Sequence, residues 1–233
     1  MNSLNNLLNI ILSPSKVFRE IDERPTWLMP FVIVSIGTAL LTWLNLPLIE
    51  KIAFSAIPPD EVAQEQMRGI YTIGQTVGIF LTPASVLINW LFSSILLWAI
   101  AHLFNEQPFF KKIFSLVSHC SIIGFIGIFL SWIILHLRGI DTISSLEDLD
   151  VSLGVTLLFS RGDLSIPIRT LLSHLNVFSI WYWIVMGLGL SIIFSFSRKR
   201  AMIVTGSAWG VSLLFSVGIT MITETFKKSG FPL

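Results

Sequence analysis

The stretch TVGIFLTPASVLINWLFSSILLWAIAHL, residues 76–103, runs from end to end without an Asp, Glu, Lys or Arg. A helix needs about 20 mostly apolar residues to cross the hydrocarbon core of a bilayer. Backbone amides in lipid must bond within their own segment, and an α-helix satisfies them all. This stretch therefore predicts a transmembrane helix, and it places the chain among membrane proteins.

Four further stretches are long enough to span and are equally free of charged residues, namely 27–48, 114–137, 177–196 and 201–223. We predict an all-α integral membrane bundle of five transmembrane helices over residues 27–223. A short amphipathic lead over residues 1–26 precedes the bundle, and a short tail over residues 224–233 follows it.

A sixth apolar stretch, residues 151–172, is interrupted by Arg161, Asp163 and Pro167. Charged side chains and proline are costly inside a spanning helix. Its apolar part, residues 151–159, is shorter than a span, and we interpret it as a re-entrant or interfacial piece.

Composition separates the chain from several other classes of protein. Hydrophobic residues make up 53% and charged residues 12%, with a mean hydropathy of +0.79, which is unlike a soluble globular domain. The formal net charge of +1 leaves no large basic surface, so nucleic acid is not an expected partner. The single cysteine, Cys120, excludes a disulfide framework and a paired-cysteine metal site.

Cations beside the spans predict their orientation, because Lys and Arg in short loops are retained on the cytoplasmic side. One side carries its cations in short flanks: Lys16, Arg19, Arg24, Lys111, Lys112, Arg198, Lys199 and Arg200, the last three in a predicted tight turn. The other side has longer loops richer in acids, although Lys227 and Lys228 there oppose this orientation. We expect a multi-pass protein of the cytoplasmic (inner) membrane, with its amino terminus cytoplasmic and its carboxyl terminus outside.

The lead is predicted to be an amphipathic helix along a surface. Leu4, Leu7, Leu8 and Ile11 recur at helical spacing, and asparagines occupy the other faces. Ser13-Pro14 is typical of a helix start, and a second short apolar stripe follows it. Two interpretations stay open, direct contact with lipid and packing on the cytoplasmic face of the bundle.

Short motifs follow one another along the chain in a fixed order. They are SPSKVFREI (13–21), RPTW (24–27), FFKKIFSLVSHCSII (109–123), LSHLNVFSIW (172–181), GLG (187–189) and RKR (198–200). In order and spacing they resemble the prokaryotic branch of the Ypt-interacting protein (Yip) family, and the resemblance covers residues 8–223.

The resemblance implies a five-helix membrane protein with a cytoplasmic amino terminus. Eukaryotic relatives engage Rab-type GTPases through a longer amino-terminal region, so GTPase binding is not carried over to a lead of residues 1–26. Some prokaryotic relatives resemble accessory components of ABC-type exporters. The resemblance therefore implies another membrane protein, such as an exporter of this type, as a partner beside membrane lipid.

Polar residues form a stripe on the second span. At about 100° per residue they lie within roughly 40° of one line, and they are Gln75, Thr82, Ser85, Asn89 and Ser93. Asn89 lies near the middle of the span, where an unpaired amide is costly. The stripe predicts a face that packs on another helix or, as the alternative, lines a watered cavity.

Small residues on two other spans predict close helix contacts, because they let backbones approach one another. The third span carries Cys120, Gly124 and Gly127 on one face. Gly206 and Gly210 form a GxxxG pattern on the last span. We interpret this pattern as internal packing, with a homodimer face as the alternative.

We expect no catalytic residues, no metal site and no cofactor. His102 and His119 predict interfacial hydrogen bonds, since two histidines alone lack the four ligands that stable zinc coordination usually takes. His174 with the outer-loop acids is interpreted as part of a solvated loop, with a divalent cation site as the alternative; those acids are Asp141, Asp148, Asp150 and Asp163. The chain contains no HExxH, GxSxG or Walker sequence.

These patterns favour a non-enzymatic accessory or organising protein whose spans bind another membrane protein or lipid. The alternative is a permease or channel for a neutral or amphipathic solute, lined by the stripe on the second span. Ion-coupled transport normally places charged groups inside a bundle, and the predicted spans contain none.

Overall fold

The computed structural model describes residues 3–55, 61–104, 108–139, 143, 151, 153–159 and 164–228. Within these residues the chain forms α-helices, a 3₁₀ turn over Val155–Leu158 and connecting turns. In chain order the helices are α1 (Ser3–Leu12), α2 (Pro14–Glu23), α3 (Leu28–Ser55), α4 (Glu61–Leu103), α5 (Phe110–Leu137), α6 (Ile166–Ser173), α7 (Val177–Ile193) and α8 (Arg198–Lys228). The predicted all-α membrane bundle with an amino-terminal helical segment is confirmed.

Four helices, α3, α4, α5 and α8, are long and apolar enough to cross a membrane. The predicted span 177–196 becomes α7, whose 17 residues reach about 25 Å at 1.5 Å per residue, slightly less than the ~30 Å of a hydrocarbon core. α7 ends early because the chain reverses at Ser195, which has a φ of 56°. The Ser191 hydroxyl donates to the Phe196 carbonyl at 2.9 Å and closes this turn.

α3 and α4 extend beyond their predicted spans and form an antiparallel hairpin. α4 begins at Glu61 rather than at residue 76 and has 43 residues, about 64 Å of helix at 1.5 Å per residue. Toward the tip of the hairpin, the Phe54 and Tyr71 rings meet edge-on with 5.6 Å between their centroids. The Arg68 guanidinium lies over the same Phe54 ring at 5.3 Å. These contacts hold the two helices together beyond the charge-free stretches.

The basic cluster at residues 198–200 lies in the first turn of α8, so its prediction as a turn is wrong. The Ala201 amide donates to the Ser197 carbonyl at 3.0 Å, and the Arg200 amide donates to the Ser197 hydroxyl at 3.3 Å. Ser197 therefore begins the helix, and residues 194–197 make the turn. A serine ahead of charged residues is compatible with either arrangement, which is why the sequence did not separate them.

α5 is the central helix of the bundle and contacts α1, α2, α3, α4 and α7. Several of its side chains have no exposed surface: Ile113, Leu116, Val117, Cys120 and Ile123. α7 packs antiparallel to α5 through two close approaches. A Cβ atom at Gly189 would lie 2.3 Å from Leu116 Cδ1, and one at Gly127 would lie 2.9 Å from Phe178 Cγ.

The two lead helices meet the bundle differently. α2 packs on it, with Val17, Phe18 and Ile21 buried in the main core. α1 also turns Ile10 into this core, but it leaves Leu8 65% exposed and Leu12 77% exposed. Of the face predicted to be apolar on α1, Leu8 is exposed, whereas Ile11 is half-buried and packs against the core.

Polar contacts fix α2 across the beginning of α5. Lys112 forms an ion pair with Asp22. The Ser115 hydroxyl donates to the Thr26 carbonyl, in the link between α2 and α3. The lead thus covers the end of the bundle at which α3, α5 and α8 begin. We call the opposite half of the bundle the distal half.

Residues 151 and 153–159 fold onto the distal half together with α6. Val151 is buried, and its carbonyl accepts from the Ser131 hydroxyl at 3.5 Å. Gly154 pairs with Asn176 in an isolated antiparallel bridge. A Cβ at Gly154 would lie 2.4 Å from the Leu175 carbonyl oxygen, so glycine permits this contact. The depth of the segment in the bilayer stays a prediction.

Candidate functional site

A cavity of about 390 Å³ lies between α5, the start of α7 and the folded segment before α6. We call it the α5–α7 cavity. Its lining combines small residues of α5 with hydroxyl and aromatic side chains of α7, including Gly124, Gly127, Ser131, Tyr182 and Trp183. Gly124 leaves this volume open on the α5 side, since a Cβ atom there would meet no heavy atom within 4 Å, whereas Gly127 packs against Phe178. The face predicted for helix packing therefore borders a cavity.

Asn176 shapes the α5–α7 cavity by starting α7. Its Oδ1 accepts from the Ser179 amide at 2.8 Å. Its Nδ2 donates to the Ser173 carbonyl and to the Ser179 hydroxyl, each at 2.8 Å. Both ends of the amide are thus used to hold the helix start, and Asn176 acts as a scaffold rather than as a free binding group.

A second, smaller cavity of about 180 Å³ lies between α3 and α5. We call it the α3–α5 cavity, and it is lined by Thr38, Leu41, Thr42, Asn45, Ile128, Ser131, Trp132 and Leu135. Asn45 Oδ1 and Trp132 Nε1, which belong to two of these residues, are buried without a hydrogen-bond partner and have almost no accessible surface. One is an acceptor and the other a donor.

The two cavities are neighbours, because Ile128 and Ser131 line both. Among the described residues, no Asp, Glu, Lys or Arg lines either cavity. Their chemistry is therefore that of neutral hydrogen bonds and apolar contact. This described part of the lining suits an uncharged or amphipathic molecule.

The structure does not bring the stripe residues of α4 to one internal surface. Thr82 is buried, and its hydroxyl donates to the Gly78 carbonyl at 3.2 Å. Ser85 and Asn89 are exposed, whereas Gln75 and Ser93 are half-buried. Neither cavity has an α4 residue in its lining.

The predicted small-residue contacts differ in their surroundings. Cys120 is fully buried in the core, whereas Gly124 and Gly127 border the α5–α7 cavity. A Cβ atom at Gly206 or Gly210 would meet no heavy atom within 4 Å. The GxxxG pattern therefore makes no close contact within the described part of the chain.

The histidines bond to their own helices. The Nδ1 atoms of His102, His119 and His136 each lie 2.8–2.9 Å from the carbonyl oxygen four residues earlier. His119 is buried and His102 is exposed. The structure records no polar contact between them.

Metal ligands do not gather in the part of the chain that the structure describes, where no group of three His, Cys, Asp or Glu is found. His174 Nε2 lies 3.2 Å from the Ser216 hydroxyl. Partial burial at this site lowers the pKa of His174. The four acids proposed to join it, Asp141, Asp148, Asp150 and Asp163, lie outside the described residues.

Asn45 and Trp132 are the site residues that the sequence analysis missed. Thr38, Thr42 and Asn45 follow one another at helical spacing on the first span, and this stripe could have drawn attention to that face. This stripe is shorter than the one on the second span and therefore gives a weaker signal. Trp132 resembles any aromatic residue near the end of a span.

Comparison with known proteins identifies the family. The Yip1 domain family model matches residues 8–220. The chain is similar to the curated "Membrane protein YknW" of Bacillus subtilis (strain 168), with 24% identity over 215 residues that cover 91% of this chain and 88% of the relative. No solved structure matches the chain. Since the family model spans most of its length, the chain belongs to the Yip1 domain family, as the resemblance implied.

Proposed function

We propose that this protein is a non-enzymatic accessory or organising protein of the cytoplasmic membrane, and that it binds another membrane protein through the outward face of α4. The observation that carries the proposal is the exposure of Asn89, a primary amide near the middle of a span that contains no charged residue.

The position of Asn89 in the packing supports this role. Its neighbour Trp90 is buried, with its ring 6.0 Å from the Phe31 ring and 6.2 Å from the Phe114 ring between centroids. α4 is therefore anchored to α3 and α5 at this level, and Asn89 points away from that contact. The described part of the chain offers its amide no hydrogen bond.

An amide facing hydrocarbon is costly, and pairing with a polar group on another helix removes that cost. Ser85, one turn earlier, is also exposed, and Gly78 has open space around it. Small residues beside a polar one are the usual composition of a helix-to-helix contact in membranes. This face is accordingly suited to a neighbouring transmembrane helix.

The proposal also concerns the identity of the partner. The Yip resemblance favours an accessory role beside an ABC-type exporter, and a second copy of this chain is the other outcome. A GTPase partner is not proposed, because the apolar residues of α2 are occupied in the core.

Photo-crosslinking in native membranes tests the proposal. A photo-reactive residue at position 89 should give an adduct with a second polypeptide, which mass spectrometry then identifies. The matched control is position 184 on α7, where Ile184 is also exposed, at 52%. Adducts at 184 of equal yield, or none at 89, would contradict a specific partner face on α4.

Thiol labelling along the same face of α4 distinguishes the accessory role from the permease alternative. Cysteines introduced at Thr82, Ser85, Asn89 and Ser93 in a Cys120→Ser background should resist water-soluble thiol reagents. An aqueous path along α4 would instead label successive positions. Such labelling would replace the accessory role with transport.

A further inference from the structure

We propose that α1 lies in the headgroup region of the leaflet on the lead's side of the bilayer, and that α1 and α2 together bind anionic phospholipid there. The inference is independent of the outward face of α4. It rests on two exposed leucines of α1, Leu8 and Leu12, and on two exposed cations of α2, Lys16 and Arg19.

α1 has apolar side chains on two opposite faces. Ile10 is fully buried in the main core, and at about 100° per residue Leu8 and Leu12 each lie roughly 160° away from it around the helix. Leu8 is 65% exposed and Leu12 is 77% exposed. Because residues four apart are neighbours on a helix, the two leucines form one apolar patch that the described part of the chain leaves largely uncovered.

The bundle holds this patch at the edge of the bilayer. α1 contacts α2, α3 and α5, and the lead covers the end of the bundle at which α3 and α5 begin. The Lys112 ion pair with Asp22 and the Ser115 hydrogen bond fix α2 at the same end. An apolar helix face beside the ends of spans meets the boundary between headgroups and acyl chains, and interfacial helices bury such a face there. Lipid is therefore the cover that suits Leu8 and Leu12.

The cations of α2 add a preference for anionic lipid. The apolar residues of α2 are buried in the core, and Lys16 and Arg19 project from the opposite face of the helix. Within the described residues neither cation has a recorded ion pair. Four residues separate Leu12 from Lys16, so their Cα atoms lie at most about 14 Å apart. Cations this close to an inserted apolar patch are attracted to the negative surface of an anionic leaflet.

The acids of the lead do not cancel this charge. The exposed charged side chains of α2 and its C-cap are Lys16, Arg19, Glu23 and Arg24. Glu20 is half-buried, and Asp22 is paired with Lys112. Cations therefore outnumber anions on the exposed surface of the lead, which favours a phospholipid of negative net charge over a zwitterionic one.

Spin labelling of the full-length protein in proteoliposomes tests the proposal. A nitroxide is attached to Leu12→Cys in a Cys120→Ser background. Its collisions with oxygen, which dissolves in lipid, are compared with its collisions with a water-soluble nickel chelate. In vesicles of equal parts phosphatidylcholine and phosphatidylglycerol, oxygen collisions should exceed nickel collisions at least about twofold. The matched control is Glu23→Cys, at an exposed position of α2, where nickel collisions should predominate.

The lipid composition of the vesicles tests the role of charge. In phosphatidylcholine alone, the ratio of oxygen to nickel collisions at position 12 should fall by about half. Lys16→Gln combined with Arg19→Gln should give this lower ratio in both kinds of vesicle. Lys16→Arg combined with Arg19→Lys keeps both charges and should keep the difference between the vesicles. Both side chains are exposed, so these replacements should leave the fold intact.

Three results would overturn the proposal. A label at position 12 that meets nickel as often as the label at position 23 would place α1 in water. An equal ratio in the two kinds of vesicle, or a difference that survives the glutamine replacements, would exclude selection of anionic lipid by these cations. Few collisions with either reagent would show that protein, such as a second copy of this chain, covers the leucines.

Discussion

Gly189 lies where α7 passes closest to α5. A methyl group there would come within 2.3 Å of Leu116 Cδ1, and Leu116 is fully buried. We expect Gly189→Ala to lower the free energy of unfolding by about 1–3 kcal/mol through overpacking. Thermal unfolding in detergent micelles measures the change.

Gly206→Ala is the control for this prediction. No heavy atom lies within 4 Å of the added Cβ, so alanine should be neutral or should stabilise α8 by up to about 1 kcal/mol. If both variants lose the same stability, the cost comes from the glycine backbone and not from contact with Leu116.

At the scale of single residues, the sequence predicted which side chains belong to contact faces, but not whether those faces lie inside the bundle or on its surface. Cys120 and Asn89 were both assigned to contact faces, yet one is fully buried and the other exposed. In water, an apolar side chain on the surface is disfavoured, and periodicity therefore reports burial. In lipid, both surfaces are apolar, so a polar stripe does not tell whether its partner belongs to the same chain.

The start of α7 depends on one side chain. Asn176 accepts from the Ser179 amide and donates to the Ser173 carbonyl. Asn176→Ala should therefore destabilise the protein by about 1–2 kcal/mol, since an N-cap is lost at a helix that is already short. Chemical or thermal unfolding in micelles measures this loss.

Ser165→Ala provides the comparison at the start of α6. Ser165 occupies the N-cap position there, but its side chain makes no capping hydrogen bond. Its replacement should change stability by less than about 0.5 kcal/mol. A loss equal to that of Asn176→Ala would show that N-cap identity, and not these hydrogen bonds, is what matters.

At the scale of elements, the existence of the helices could be predicted and their ends could not. A charge-free run reports how much of a helix suits lipid. It does not report where hydrogen bonding stops, and α4 continues through polar sequence back to Glu61. The contact of Phe54 with Tyr71 and Arg68 depends on the folded hairpin, and for that reason it is invisible in the sequence.

For the whole molecule, we expect an amino terminus in the cytoplasm and a carboxyl terminus on the other side of the membrane. The basis is the excess of Lys and Arg beside the lead and in the links before α5 and α8. Paired reporter fusions measure the orientation, with an enzyme active outside the cytoplasm and a fluorescent protein active inside it. An odd number of membrane crossings places the two termini in different compartments. Reporters that locate both termini in the same compartment would contradict it.

The cavities show the limit of prediction at this largest scale. Asn45 and Trp132 come from helices separated in the chain by all of α4. They line the same cavity because α3 packs against α5. Neither hydropathy nor helical spacing contains that information. The absence of charged residues from the spans, by contrast, could be read from the sequence, and it matches the neutral side chains that the described residues contribute to both cavities.

The burial of Phe18 and Ile21 has a practical consequence for shortened versions of this polypeptide. A segment ahead of the first span would ordinarily be trimmed or replaced with a tag at little risk. Here its removal would uncover aliphatic surface on α5 and α7 and leave Lys112 without its carboxylate. Purification handles are therefore better attached at the other terminus, and a preparation lacking residues 1–26 should not be taken to represent the native bundle.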